Sequence, residues 1–291
     1  MLLRILTIVF PIFAIVALGY LYARRKPTEM AVANRINMDV FLPALIFHVL
    51  SQREFSLGEY VALAVGGIAV ILGSGILAYP LARCLNYDWR TFVPPMMFSN
   101  YGNIGLPLFV FAFGEAALSA GVVLFISGNL LHFTLGRYLL DHRVKLWEVV
   151  RTPMIIATIL GLTFSLQGWV LPTALAIPIE MLGQVSIPLL LFSLGVRLTD
   201  VDLGDWKIGV VGAVVCPVVG VVLALLIVPW LDLPEAQTRQ LILFGVLPPA
   251  VLNFLLAEQF RQEPQRVASI VMIGNLFGFV TIPLTLVFLL V

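Results

Sequence analysis

Long apolar runs, separated by short polar or charged stretches, fill the chain from end to end. A helix that crosses a bilayer needs about 20 predominantly apolar residues. Ten runs answer to that length: 3–22, 36–51, 60–82, 92–113, 117–136, 152–168, 174–196, 207–231, 241–260 and 267–290. The sixth is short, and Gly168 to Pro172 barely separates it from the seventh. Inside the fourth run the apolar pattern fails at Ser99-Asn100-Tyr101-Gly102-Asn103-Ile104-Gly105-Leu106-Pro107. A break there frees backbone groups and two asparagine amides at a depth where hydrocarbon offers no partners. The ninth run has its own interruption, Leu247-Pro248-Pro249-Ala250-Val251-Leu252-Asn253. Each proline removes an N–H and clashes with the carbonyl four residues back, so this span is also predicted to be broken.

The two halves of the pattern repeat. Leu57-Gly58-Glu59-Tyr60 at the head of the third span recurs as Leu203-Gly204-Asp205-Trp206 at the head of the eighth, an offset of 146. Gly128-Asn129-Leu130 recurs as Gly274-Asn275-Leu276, again at 146. Val40-Phe41-Leu42-Pro43 with Phe47 matches Val185-Ser186-Ile187-Pro188 with Phe192 at 145. Glycine, proline, asparagine and acidic positions carry these matches, so shared apolarity does not account for them. Five spans per copy is an odd number, and the second copy must therefore lie upside down relative to the first. The fold class expected is an all-α polytopic membrane protein with ten transmembrane helices in two inverted five-helix repeats. Residues 1–138 form the first repeat, 139–151 a cytoplasmic linker and 152–291 the second repeat. Such inverted repeats characterise secondary transporters, with the binding site where both copies present interrupted helices. The 146 offset carries Asn103 to position 249, inside the second break.

Composition confirms the solvent. Of the 291 residues, 60% are hydrophobic and 11% charged, with a mean hydropathy of +1.04, far from the usage of a soluble domain. The net charge of +1 gives no footing for a nucleic-acid partner. Fourteen of the 17 basic residues follow odd-numbered spans, among them Arg24, Arg25, Lys26, Arg83, Arg143, Lys145, Arg197 and Arg266, while only Arg4, Arg53 and Arg239 lie on the other side. Basic residues accumulate in cytoplasmic loops, so both termini are expected outside the cytoplasmic membrane. The first run precedes its positive cluster, unlike a signal peptide, and reads as an uncleaved span. Cys84 and Cys216 read as small apolar side chains, with no disulfide or metal site.

With spans four and nine running in opposite directions, their broken middles can cross at mid-membrane. Half-helices starting near Gly105 and near Val251 then aim their N-termini at the centre. Each such end presents unpaired N–H groups and about half a positive charge, enough for a carboxylate to bind without a lysine. Asn100, Asn103 and Asn253 supply amides that donate and accept, alongside Tyr101 at the same break. Their plainer role is to tie up freed backbone, and the two roles can coexist. Asn129 and Asn275 are repeat-related and stand beside the crossing, as supports or as interhelical bonds. Asp39, matched by Gln184, is a candidate proton or cation relay or an interfacial carboxylate. Glu180 and Glu258 can both reach water, and the isolated His48 and His132 have no companion ligands for a metal. No cofactor is expected; a coupling ion, H+ or Na+, is left open.

The break Asn-Tyr-Gly-Asn-Ile-Gly-Leu-Pro at 100–107, the segment Pro-Pro-Ala-Val-Leu-Asn at 248–253, the stretch Pro-Leu-Leu-Leu-Phe-Ser-Leu-Gly from Pro188 to Gly195 and the ten spans resemble the auxin efflux carrier family. The resemblance covers essentially the whole chain. It implies a scaffold and homodimer interface made by spans 1, 2, 6 and 7, and a transport domain of spans 3–5 and 8–10. It also implies organic anions, auxins or dicarboxylates, moved by an elevator-like motion. The crossover roles fall on Asn100, Asn103, Gly105, Pro107, Pro248, Pro249 and Asn253. The short 139–151 linker lacks the long hydrophilic insertion of many plant carriers and points to a prokaryotic-type permease. A sodium-coupled symporter resembling the bile acid carriers shares the crossover plan, but the breaks here are amide-rich and contain no acid. A channel and an intramembrane enzyme are the remaining classes; no local pair of catalytic side chains supports the latter.

Overall fold

The computed structural model describes residues 2–52, 55–142, 151–200 and 204–290, and these are almost entirely helical. Arg53, Arg143 and Lys145 of the charge count, Leu203 of the repeat and most of the 139–151 linker lie outside them. The helices are α1 (Leu2–Arg25), α2 (Ala31–Ile36), α3 (Leu42–Leu50), α4 (Leu57–Cys84), α5 (Trp89–Met97), α6 (Leu106–Phe113), α7 (Leu118–Leu131) and α8 (Arg137–Leu140) in the first half. The second half holds α9 (Pro153–Gln167), α10 (Thr173–Arg197), α11 (Trp206–Ile227), α12 (Glu235–Val246), α13 (Val251–Gln259) and α14 (Pro264–Leu289).

Among the described residues six helical stretches are long and apolar enough to cross a membrane: Ile5–Arg25, Leu57–Cys84, Glu115–Leu140, Thr173–Arg197, Trp206–Trp230 and Pro264–Leu289. They coincide with predicted spans one, three, five, seven, eight and ten. The other four predicted ranges hold shorter or interrupted helices. The outer surface of the six long stretches is apolar: Phe10, Ile76, Trp230 and Phe288 are all more than 65% exposed. A water-soluble protein seldom presents so much contiguous apolar surface, whereas a bilayer solvates it.

Three single turns of π-helix interrupt the first half, at Asn37–Phe41, Tyr101–Gly105 and His132–Gly136. The first joins α2 to α3, the second leads into α6 and the third joins α7 to α8. Helix α1 packs along α10, and α3 lies between α9 and α10. Helix α11 packs on α14, α12 and α4, while α4 also carries α5 and α7. The chain thereby brings the end of α5 and the start of α13 to the middle of the bundle, where both leave helical geometry.

Candidate functional site

The fourth predicted span is α5, an extended stretch at 98–100, a π-turn and α6; the ninth is α12, an extended stretch at 247–250 and α13. The extended stretches meet as a two-residue antiparallel bridge, Ser99 facing Pro249. The Asn100 N–H donates to the Pro248 carbonyl at 2.7 Å, and the Ala250 N–H to the Phe98 carbonyl at 2.9 Å. Pro248 and Pro249 bring no N–H that would need a partner, so proline fits an extended strand with little backbone demand. The breaks therefore satisfy each other. Ser99 opposite Pro249 is an offset of 150, four more than the 146 that carries Asn103 to position 249. On the offset of the bridge Asn103 corresponds to Asn253. The longer helix before the second break, α12 with 12 residues against α5 with 9, accommodates three of the four.

Asparagine amides lock the bridge. Asn253 Nδ2 donates to the Phe98 carbonyl at 2.8 Å and to the Ala250 carbonyl at 3.0 Å. Asn275 Nδ2 on α14 donates to the Pro249 carbonyl at 2.9 Å and the Val271 carbonyl at 2.7 Å. Its Oδ1 accepts from Asn100 Nδ2 at 2.9 Å. Asn100 Oδ1 in turn accepts the Asn103 N–H at 3.2 Å, capping the turn that restarts the helix. The glycine before Asn275 has a packing reason: a Cβ on Gly274 would stand 2.7 Å from Pro249 Cδ. Its repeat partner Gly128 lies under the Tyr101 ring, which a Cβ there would strike. Tyr101 is held away from the centre, its hydroxyl donating to the Met97 carbonyl at 2.9 Å and its ring stacked on Phe244 at 4.5 Å.

A cavity of about 190 Å³ opens beside the bridge. Asn100, Tyr101, Gly102 and Asn103 form one wall, Asn129 and His132 another, and Asn37, Ser193 and Arg197 a third. Each of the three π-turns contributes residues to it. No Asp or Glu among the described residues lines it. Polar groups remain available to a guest. The Asn103 side chain has no hydrogen-bond partner among the described residues, and Asn129 commits only Nδ2, to the Phe125 carbonyl at 2.9 Å. Arg197 supplies positive charge on the wall.

The predicted residues thus divide. Asn100, Tyr101, Asn103 and Asn129 reach the cavity. Pro248, Pro249, Asn253 and Asn275 build the bridge behind it, while Gly105 closes the π-turn of the break and Pro107 lies in α6, which follows it. Asp39 and Gln184 are not on the cavity wall; Gln184 Nε2 donates to Glu180 Oε1 at 3.2 Å on the exposed side of α10. Sequence reasoning passed over Asn34, Asn37, Ser193 and Arg197. Their common mark is polarity at helical spacing, Asn34 with Asn37 and Ser193 with Arg197, on otherwise apolar helices. Among the described residues no three His, Cys, Asp or Glu side chains gather as metal ligands.

A many-helix apolar body enclosing a polar cavity at two mutually bonded helix breaks is the architecture of a membrane carrier. Comparison with known proteins makes this specific. A family model described as membrane transport protein matches residues 4–143 and 137–286, and the chain belongs to that family. It is 22% identical over 299 residues to an uncharacterized transporter of Methanocaldococcus jannaschii, covering 95% of this chain and 96% of that one. It is 26% identical over 301 residues to a Rhizobium meliloti protein named "Putative malonate transporter", covering 94% of this chain and 92% of that one. The protein is therefore a membrane transporter rather than an enzyme.

Proposed function

We propose that the protein is a secondary transporter for a small organic anion, a carboxylate, in the cytoplasmic membrane. The observation that carries this reading is the lining of the cavity: amides, hydroxyls, one arginine and the start of the Tyr101–Phe113 helix, with no acid among the described residues. A helix start favours negative charge, and a cavity without carboxylates gives sodium little to hold it. The relative named for malonate fits the same chemistry. At about 190 Å³ the cavity lies below the 300–1,000 Å³ typical of drug-sized ligands, so the cargo is small.

In this reading ten spans form two inverted repeats with both termini outside, and the cavity faces the cytoplasm. Asn34, Arg197 and His132, which line it, stand near helix ends that the basic residues assign to that side. Helices α1, α2, α3, α9 and α10, which pack on one another, act as scaffold and dimer contact. The remaining helices carry the crossing past them. Asn103 and Asn129 hold the carboxylate, while Asn100, Asn253 and Asn275 hold the crossing together. The coupling ion is H+ or Na+.

Tracer flux in proteoliposomes tests the reading, using malonate, malate and indole-3-acetate, each with and without sodium and a pH gradient. Malonate loaded on the far side is expected to accelerate uptake of labelled malonate, which a pore does not do. Absence of specific flux with all three compounds would overturn it.

A further inference from the structure

Asn37 is fully buried on the cavity wall, and among the described residues neither its amide nitrogen nor its carbonyl oxygen has a hydrogen-bond partner. Buried carboxamides are ordinarily satisfied, and one that is not calls for an explanation. The asparagines of the crossing show the contrast. Asn100, Asn253 and Asn275 each have an amide nitrogen bonded to a carbonyl oxygen nearby, whereas Asn37 meets none. It opens a single π-turn, a distortion that often marks functional positions. On the same wall, α10 brings Ser193 and Arg197, the latter a permanent positive charge.

We propose that Asn37 binds the end of the ligand remote from the crossing, and so selects a carboxylate bearing a second carboxylate over a monocarboxylate. The inference rests on the carboxylate-carrier reading above and adds a second anchoring point to it. Asn37 and Asn103 line the same cavity of about 190 Å³, so a ligand that fills it meets both. An ionised carboxylate is acceptor-only; it takes a hydrogen bond from the Asn37 amide nitrogen. A monocarboxylate of the same length leaves the amide as it is now, buried and without a partner, and a site built for a polar group discriminates against a ligand that lacks it.

The test uses purified full-length protein and two ligands with the same three-carbon skeleton, malonate and propionate. Wild type is expected to bind malonate more tightly than propionate. Asn37→Leu should weaken malonate by about tenfold, the loss of one hydrogen bond to a charged group, and leave propionate unchanged. The ligand-free variant should also unfold at a higher temperature, because an unpartnered polar group has left the interior. Asn37→Ala gives the same comparison should the leucine variant fail to insert. An unaltered malonate-to-propionate ratio in a correctly inserted variant would overturn the proposal and leave Asn37 a structural irregularity. Equal binding of the two ligands by wild type would overturn it as well. If wild type binds neither, the carboxylate-carrier reading itself fails and this inference with it.

Discussion

Two asparagines that look alike in the sequence do different work in the structure. Asn253 spends its amide on the carbonyls of Phe98 and Ala250, while Asn103 leaves its side chain to the cavity. Asn253→Ala should therefore cost about 1–3 kcal/mol, the penalty of buried groups losing a partner, and lower the unfolding temperature in detergent. Asn103→Ala should change stability by no more than about 0.5 kcal/mol, yet reduce malonate flux by about tenfold or more. If Asn103→Ala transports normally, the free amide is not a ligand contact. The sequence made every one of these asparagines visible, because polar residues at bilayer depth stand out against an apolar run. It did not sort them into ties and contacts, since that depends on which carbonyl the opposite break brings within reach. Asn37 was missed for a related reason. It lies near a helix end, where a polar residue ordinarily needs no explanation, and only the packing shows that it is buried.

The breaks themselves were legible because they combine glycine, proline and amides in mid-span, but proline alone was a poor guide. Pro248-Pro249 sits in the extended bridge, whereas Pro94-Pro95 stays inside α5, and Pro178 and Pro188 both lie within the unbroken α10. What ends the helix at 247–250 is the exchange of backbone hydrogen bonds with 98–100, a long-range contact with no local signature. The π-turns left no mark in the pattern either, since one extra residue in a turn alters neither composition nor apolar length. The Gly-Asn repeat, in contrast, was legible and now has a cause: glycine admits Pro249 or Tyr101, and Asn275 then reaches the Pro249 carbonyl. Gly274→Ala should push the bridge out of register and cost about 1–3 kcal/mol, as overpacking does. Gly58→Ala, where a Cβ meets nothing closer than 4.0 Å, should instead gain about 0.4–1 kcal/mol. Thermal unfolding of both variants against wild type checks the pair. Equal effects would mean that Gly274 is not a spacer for the crossing.

At the scale of the whole molecule, the cavity beside the crossing has a counterpart at the opposite end, a wider opening of about 770 Å³ lined by Thr7, Tyr60, Phe111, Glu235 and Gln240. We assign the barrier between them to an apolar plug on α1, α10 and α14. Val9, Ile12 and Phe13 of α1 line one small void there with Ile104, Leu194 and Ile282, and Phe13 stacks edge-on against Phe279 with ring centroids 4.4 Å apart. Which helices form this plug could not be read from the chain, because α1, α10 and α14 come together across most of its length. On the alternating-access reading proposed above, a carrier opens one side at a time, and the structure is the state open at the end that bears Asn34 and Arg197. On that reading the leak is set by a minor opposite state, typically populated at about 0.1–10%. An Asn103→Cys reporter, with Cys84 and Cys216 replaced, should then react with an impermeant thiol reagent from the cavity side about 10–1,000-fold faster than from the other. Phe279→Ala removes one half of the ring pair, and it should raise the slow rate while leaving the fast one unchanged. Equal reaction from both sides before any change at Phe279 would mean that the plug is not a barrier, and that the molecule conducts as a pore.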